Sequence, residues 1–322
     1  MVKLPHTNLD SSRIIYGCMN IGGSWDDSKI SNDAINNTLE LVSTALENKI
    51  NFFDHADIYC RGKSEEVFSN IWRELDIKRE KIIIQTKCGI RFPGFPNSDS
   101  PQRFDFSYDH IMYSVDASLK RLKTDYIDIL LLHRPDPLVE PVEVAKAFNE
   151  LNDSGRVKYF GISNHNRFQI ELLQNFLSVP LIANQLEFNI VHNYLANEGI
   201  TFNNSQSQMI HGYGTLEYCR LNDITIQAWS PLGKGKFLNG ENFPDETSKN
   251  VFDQLKAIAD NHNVTPEAIA VAWILRHPAK MQSVVGTTNV ERLKNICKGS
   301  SINLTREEWY KIFNAGRGER LP

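Results

Sequence analysis

The chain has 322 residues, of which 41% are hydrophobic and 23% charged, and its formal net charge is −4. This is an ordinary globular composition, and the absence of a basic block argues against nucleic acid as the main partner. The first 23 residues lack the apolar core of a secretory signal, and no stretch approaches the ~18 apolar residues of a membrane span. The five cysteines are scattered without a C-x-x-C pair, as reduced thiols are. We therefore expect a cytoplasmic protein with no membrane segment.

Eight short runs rich in β-branched and aromatic residues predict eight strands along the chain. Several of them are apolar at consecutive positions, which is typical of strands covered by helices. The predicted strands span residues 13–19, 51–56, 81–89, 126–133, 157–163, 181–188, 224–230 and 282–288.

Amphipathic patterns in the gaps predict helices. The first has a broad apolar face, with Ser31 or Asn32 as its N-cap. Another begins with Pro141, which suits a first helical turn, and ends at Gly155. The predicted helices lie at 32–48, 109–123, 141–155 and 289–297.

Strands and helices alternate without a linker, which predicts one (β/α)8 TIM barrel domain over residues 1–322. A doubly wound open sheet is the alternative, because it shows the same alternation. Such a sheet usually has G-x-G-x-x-G after its first strand, where this chain has GCMNIGGSW. Long segments rich in Asn, Ser, Gly and Pro follow strands at about 90–108, 189–212 and 231–248. In a barrel they would lie on the carboxyl-terminal face, where active sites form.

Polar side chains recur where the predicted strands end, and a barrel would bring them to one mouth. Asp54 and Tyr59 follow the second strand, Lys87 ends the third and His133 ends the fourth. Taken singly, each has an ordinary structural explanation, as a helix cap, a surface ring, a solvated lysine or a core histidine. Their joint occurrence favours a general-acid site instead.

A carbonyl that receives a hydride develops negative charge on its oxygen and needs a proton donor. A tyrosine hydroxyl can donate, although its reference pKa is ~10. A nearby ammonium lowers that pKa, and Lys87 could supply one, with Asp54 as the counter-charge. His133 could hydrogen-bond the same oxygen. These residues together predict Tyr59 as the proton donor.

The chain resembles the aldo-keto reductase family, and most closely a bacterial branch of it, in segments that span nearly its whole length. They are FFDHADIY, TKCG, LLLHRPDP, FGISN, NQLEFN, WSPLGKG and VVGTTNVERLKN. The resemblance implies a TIM barrel that binds NADPH without a Rossmann motif and reduces a small-molecule carbonyl substrate. It implies Tyr59 as proton donor, Asp54 and Lys87 as residues that tune it, and His133 as the residue that orients the substrate. An insertion around 197–212 departs from the branch.

The same resemblance implies the cofactor contacts. Ser163, Asn164 and Gln185 would hydrogen-bond the nicotinamide carboxamide. Trp229 would stack on the nicotinamide ring, and its alternative is a core position in the seventh strand. The residues implied to hold the pyrophosphate and the adenosine end are Ser230, Leu232, Gly233, Lys234, Gly286, Thr287, Thr288 and Arg292.

Two positions depart from the family pattern. Gly286 stands where many members have a lysine that binds the 2′-phosphate of NADP, and Asn295 stands where a glutamate that contacts adenine is common. Arg292 remains, and its planar fork suits a phosphate. NADP(H) is therefore favoured and NAD(H) is possible.

Side chains near strand ends and in the first long loop are expected to line the substrate pocket: Met19, Trp25, Phe92 and Phe95. Two alternatives remain open. A metal-dependent hydrolase on the same barrel would use His55, Asp57 and His133, although such sites usually have more histidines at strand ends. A reductase-like regulatory subunit would have the barrel without turnover. The sequence predicts no metal site and shows no evident need for a protein partner.

Overall fold

The computed structural model describes residues 1–201, 212–238 and 242–322. Eight parallel strands, numbered here β1 to β8, form a closed barrel. They are Ile14–Gly17, Phe52–Asp54, Ile83–Cys88, Ile127–Leu132, Val157–Ser163, Leu181–Glu187, Thr225–Trp229 and Gln282–Val285. Val284 of β8 pairs with Ile15 of β1, which closes the barrel. The predicted (β/α)8 TIM barrel is confirmed, each strand lies within its predicted bounds, and the open-sheet alternative is wrong.

The barrel interior is apolar towards the amino-terminal ends of the strands. Ile15, Phe52 and Ile83 pack there with Leu4, which follows a short strand at the start of the chain. Residues two positions apart on a strand face the same side. Asp54, two positions after Phe52, therefore also points into the interior.

A layer of buried polar side chains crosses the barrel above this apolar floor. The Gln85 amide donates to Asp54 Oδ1 at 2.6 Å and to Gln227 Oε1 at 2.9 Å. Gln185 donates to the same two atoms at 3.0 and 3.2 Å. Buried polar groups cost free energy unless they are hydrogen-bonded, and here the partners come from different strands. The layer holds Asp54 in one orientation.

Helices cover the outside of the barrel. In the described part of the chain they are α1 Asn32–Glu47, α2 Lys63–Phe68, α3 Ile71–Glu74, α4 Tyr108–Leu122, α5 Pro141–Asp153, α6 Arg167–Gln174, α7 Tyr194–Thr201, α8 Thr215–Leu221, α9 Glu246–His262, α10 Pro266–Leu275, α11 Val290–Cys297 and α12 Arg306–Arg317. The four predicted helices form as α1, α4, α5 and α11. Of the two candidate caps of α1, Ser31 is the N-cap, and its hydroxyl accepts from the Ala34 N–H at 3.1 Å.

Several helices are not predicted by the sequence pattern, and α10 shows the reason. Every residue from Ala268 to Leu275 is buried. A helix buried on all sides has no polar face, so its sequence lacks the amphipathic period by which a helix is recognised. Helices of this kind need the tertiary structure to be found.

The described parts of the three long segments are not uniformly irregular. The segment 90–108 contains an antiparallel strand pair, Ile90–Arg91 with Arg103–Phe104. The other two contain α7 and the start of α9, and in them residues 202–211 and 239–241 lie outside the described residues. Most of the predicted 197–212 insertion is therefore not described. Among the residues that are, no helix has the length and apolar character to cross a membrane.

Candidate active site

Lys87 is the centre of the site, near the carboxyl end of β3. Its side chain is fully buried. Its ammonium donates to Asp54 Oδ2 at 2.7 Å, to the His55 carbonyl oxygen at 2.8 Å and to the Tyr59 hydroxyl at 3.0 Å. Three acceptors match the three N–H donors of an ammonium. The structure therefore brings Asp54, Tyr59 and Lys87 together in one hydrogen-bonded group.

Tyr59 stands at the start of an unusual turn that follows β2. The next three residues, Cys60, Arg61 and Gly62, have φ values of 47°, 60° and 90°. Left-handed backbone is uncommon for residues other than glycine and costs free energy, so it persists where the surroundings enforce it. The turn leaves the Tyr59 side chain directed at Lys87 and only 9% exposed.

Burial and charge act in opposite directions on Tyr59. Burial raises the pKa of its hydroxyl, Lys87 lowers it and Asp54 raises it, and the net pKa lies above the ordinary value. Lys87 thus lowers the pKa of Tyr59 as expected, but burial outweighs the effect of the ammonium. Burial also lowers the pKa of Lys87, but Asp54 and Tyr59 together raise it above its ordinary value. At neutral pH Tyr59 is therefore protonated and Lys87 is charged.

His133 follows β4 and faces the same group. Its ring lies edge-on to the Tyr59 ring, with centroids 5.9 Å apart. Burial lowers the pKa of His133 well below its ordinary range, and the charges of Lys87 and Arg134 lower it further. The imidazole is therefore neutral at pH 7, and its N–H can donate a hydrogen bond.

The residues expected at the carboxamide lie at the ends of β5, β6 and β7. Ser163 Oγ donates to the Gln185 carbonyl oxygen at 2.8 Å. Asn164 Nδ2 donates to Ser163 Oγ at 2.8 Å and to the His133 carbonyl oxygen at 3.2 Å. Trp229 Nε1 donates to Asn164 Oδ1 at 3.1 Å. Ser163, Asn164 and Trp229 form one edge of the mouth, whereas the Gln185 side chain bonds to the polar layer below it.

The segment after β7 turns through several left-handed residues. Ser230, Gly233 and Lys234 have φ values of 51°, 56° and 56°. A Cβ on Gly233 would lie 2.4 Å from a ring carbon of Phe237, so glycine is required there. Leu232 packs against the core, and Lys234 is exposed. Sharply turned backbone beside an exposed cation suits an anionic group such as a pyrophosphate.

The residues expected at the adenosine end surround the start of α11. Asn289 caps this helix, and its side-chain oxygen accepts from the Arg292 N–H at 2.8 Å. The Arg292 side chain is exposed, with no ion pair to any described residue. Thr287 and Thr288 lie between the strand and the helix. Gly286 faces open space, where an added Cβ would meet one backbone oxygen at 3.5 Å. A helix start beside an exposed arginine suits a phosphate.

The four expected pocket residues are placed differently. The Trp25 ring lies 6.4 Å from the Tyr59 ring, centroid to centroid. Phe92 lies 5.3 Å from the guanidinium carbon of the arginine in the Tyr59 turn. Met19 is 43% exposed near the end of β1. Phe95 instead lies 6.4 Å from a tyrosine ring on α4. The structure thus brings Trp25 to Tyr59 and places Phe95 against α4.

Lys63, which the sequence reading missed, fastens the loop that carries Trp25. Its ammonium lies 3.2 Å from both Asp26 Oδ1 and the Ser28 carbonyl oxygen. Lys63 lies four positions after Tyr59 in the sequence, so one segment holds both the proposed donor and this loop. No sequence pattern connects two segments this far apart.

Gln85 and Gln227 of the polar layer were also missed, although a signal for them exists. Each lies two positions before a predicted site residue on the same strand, Lys87 in one case and Trp229 in the other. Because side chains two positions apart share a face, strand alternation would have placed both glutamines inside the barrel.

Comparisons of the sequence with known proteins indicate one protein family. A sequence model described as the Aldo/keto reductase family matches residues 13–316. The chain is 34% identical over 314 residues to the 6-dehydroglucose reductase of Agrobacterium fabrum, covering 97% of each protein. It is 32% identical over 285 residues to the oxidoreductase YdhF of Escherichia coli, covering 88% of this chain and 89% of YdhF. The expected similarity to the bacterial branch that includes YdhF is confirmed.

Solved structures of other proteins have a similar fold. A thermostable aldo-keto reductase bound to the inhibitor epalrestat superposes with a TM-score of 0.77 at 26% identity, covering 98% of both chains. The glycerol dehydrogenase AKR11B4 of Gluconobacter oxydans superposes with a TM-score of 0.80 at 22% identity, covering 98% of this chain and 94% of that one. At this lower identity the second likeness concerns the fold alone.

Proposed function

This chain belongs to the aldo/keto reductase family, and on that premise we propose that it reduces an aldehyde or ketone to the alcohol with a nicotinamide cofactor. Tyr59 is the proton donor in this proposal. The observation that carries it is the fully buried Lys87, hydrogen-bonded to both Asp54 and the Tyr59 hydroxyl. A buried ammonium beside a phenol serves a reaction in which the phenol gives up its proton.

The chain's own residues supply the proton and control the charge. When bound, the reduced nicotinamide provides the hydride that the carbonyl carbon accepts. Tyr59 gives its hydroxyl proton to the carbonyl oxygen as negative charge develops there. The resulting tyrosinate is stabilised by the Lys87 ammonium, whose charge Asp54 balances. His133, neutral because of its burial, donates a hydrogen bond to the same oxygen.

The residues present fit a nicotinamide cofactor along one side of the barrel mouth. Ser163, Asn164 and Gln185 offer hydrogen-bonding groups for the carboxamide, and Trp229 offers a ring for stacking. The residues proposed for the pyrophosphate are Ser230, Leu232, Gly233 and Lys234.

The residues around the adenosine end determine whether NADP(H) or NAD(H) is preferred. Thr287 and Thr288 offer hydroxyl groups, and Arg292 offers an exposed guanidinium that suits a 2′-phosphate. Many family members have a lysine at the position of Gly286, so this chain lacks that contact to the phosphate. We therefore favour NADP(H), with NAD(H) as a possible cofactor.

The substrate is a small carbonyl compound in this proposal. Met19, Trp25, Phe92 and Phe95 remain the proposed pocket residues. Trp25 has the most direct support, because its ring contacts Tyr59.

Titration of intrinsic tryptophan fluorescence with NADPH and then NADH tests the cofactor proposal. Quenching at low concentrations of NADPH alone would support NADP(H), and preferential quenching by NADH would overturn that preference. Carbonyl-dependent oxidation of the reduced cofactor tests the reaction itself. Cofactor binding without turnover across a broad carbonyl panel would favour the regulatory alternative. Metal analysis of the purified protein, with and without chelator treatment, tests the hydrolase alternative.

A further inference from the structure

Arg134 directly follows His133 after β4 and is half-buried at the mouth of the barrel. Its guanidinium carbon lies 5.6 Å from the centroid of the Trp229 ring. Its charge contributes to the lowered pKa of His133, after burial and Lys87. Arg134 is therefore close to the proposed stacking residue and to the imidazole that faces Tyr59.

Arg134 has no acidic partner within the described ranges, and its guanidinium donates no hydrogen bond to any residue in them. Arginines on nearby segments are paired with carboxylates: Arg61 with Asp27 at 2.8 Å, Arg91 with Asp105 at 2.6 Å and Arg121 with Glu65 at 2.7 Å. A guanidinium carries five N–H donors, and partial burial limits how well water can satisfy them. The contact with Trp229 stabilises the cation but accepts none of these protons.

None of the other described charges near the mouth forms an ion pair with Arg134. Lys87 and Asp54 form a closed pair inside the barrel. His133 is neutral at pH 7 because of its lowered pKa. The carboxylate of Glu187, at the end of β6, acts on the His and Tyr side chains of the loop after it. Arg134 is therefore a positive charge without a carboxylate partner among the described residues, beside the place where a carbonyl would react.

From this arrangement we propose that Arg134 binds a carboxylate of the substrate, so that the enzyme prefers carbonyl compounds that also carry a carboxylate. The planar fork of a guanidinium matches the two oxygens of a carboxylate. Binding at this fork would orient the carbonyl towards Tyr59, which raises the rate by positioning. This inference rests on the proposed reductase function, because it concerns the substrate of the same site.

Matched substrates of similar shape and different charge test this proposal. One pair is 4-carboxybenzaldehyde and 4-nitrobenzaldehyde, and the other is succinic semialdehyde and its methyl ester. We expect the wild-type protein to favour the carboxylate member of at least one pair in kcat/KM. Arg134→Met should lower kcat/KM for that member by about 10- to 100-fold, the range for a hydrogen bond to a charged group, and change the neutral member little.

Two variants serve as controls. Arg134→Lys keeps the charge without the fork and should retain part of the carboxylate preference. Arg103→Met removes one positive charge from the strand pair after β3, where its guanidinium donates to backbone carbonyls. We expect it to leave the preference unchanged. A fluorescence titration with NADPH, run on each variant, reports any effect on cofactor binding.

Several outcomes would overturn the proposal. One is a wild-type protein that turns over both members of each pair equally well. Another is an Arg134→Met variant that loses rate equally on both members or loses cofactor affinity, since either result assigns Arg134 another role. A strong preference for neutral polyhydroxylated aldehydes that Arg134→Met removes would assign the residue to hydroxyl groups. Absence of turnover with any carbonyl would reject the proposed function itself, whereas turnover without carboxylate preference rejects this inference alone.

Discussion

Cationic side chains are paired in the interior of the barrel, whereas at its rim some have no ion pair to the described residues. Lys87 is fully buried and its three donors are all satisfied. Arg134 and Arg292 lie at the rim without ion pairs to the described residues. An unbalanced charge in the low-dielectric interior is costly, so it needs its partner before any ligand arrives. At the solvated rim a cation can stay free for a ligand. Interior variants should therefore affect chemistry and stability together, and rim variants should affect only the choice of ligand.

Removing the proposed proton donor should have the largest effect on turnover. Tyr59→Phe keeps the ring and deletes the hydroxyl, so we expect carbonyl reduction to fall by about 10²- to 10⁴-fold with NADPH affinity nearly unchanged. Steady-state kinetics and a fluorescence titration measure the two quantities. Tyr213→Phe, at a tyrosine that is 53% exposed, is the matched control. Retained turnover in Tyr59→Phe would refute the assigned donor.

Breaking the interior pair should lower both activity and stability. Lys87→Met leaves Asp54 buried without its counter-charge, and we expect the free energy of unfolding to fall by about 3–5 kcal/mol, with a loss of turnover similar to that of Tyr59→Phe. Urea unfolding measures the first and kinetics the second. The double variant Asp54→Asn/Lys87→Met should be less destabilised than Lys87→Met, because no charge is left unpaired. A single variant as stable as wild type would show that the pair does not support the fold.

Acid should destabilise the fold through buried imidazoles. Burial lowers the pKa of six histidines in the described part of the chain: His55 to about 3, His110, His165 and His277 to about 4, His133 well below its ordinary range, and His192 below its ordinary value. Below about pH 6.5 the unfolded chain binds protons at these residues and the folded protein does not, so stability falls as the pH falls towards 4. Urea unfolding between pH 7.5 and 4.5 measures this, and a free energy that does not change across that range would contradict it.

Rim variants should alter cofactor preference and leave stability intact. Arg292→Met removes an exposed guanidinium, so NADPH affinity should fall about tenfold or more while NADH affinity stays unchanged. Gly286→Lys places an ammonium in open space and should raise NADPH affinity. Fluorescence titration with both cofactors measures each change. Equal effects of Arg292→Met on the two cofactors would argue against a 2′-phosphate contact.

Releasing the Trp25 loop should have the smallest effect. Lys63→Met removes contacts to exposed groups of that loop, and exposed ion pairs contribute only about 0–1 kcal/mol. We therefore expect KM to rise by up to about fivefold with kcat little changed. Acrylamide quenching of tryptophan fluorescence should increase as Trp25 becomes more accessible. Lys63→Arg should restore both properties. Unchanged KM and quenching in Lys63→Met would show that Lys63 does not position the loop.

Some features of the fold could be read from the sequence because they leave a local pattern. The buried strands are short apolar runs that end in polar residues, and α1 and α4 have one apolar face each. The barrel topology then brings all strand ends to one mouth, which allowed Asp54, Tyr59, Lys87 and His133 to be nominated as a group. α10 left no such pattern, because it is buried on all sides.

The sequence by itself predicted the closed barrel and the set of polar residues at its mouth, from periodicity, chain order and the lack of G-x-G-x-x-G after the first strand. Only the tertiary structure decided how burial and neighbouring charges together set the pKa values of these residues. Burial, which depends on many distant segments, raises the pKa of Tyr59 in spite of Lys87. The hydrogen bonds of Gln85 and Lys63, and the lack of a described partner for Arg134, likewise depend on which segments meet in three dimensions. These contacts join residues far apart in the chain, so no local sequence pattern predicts them.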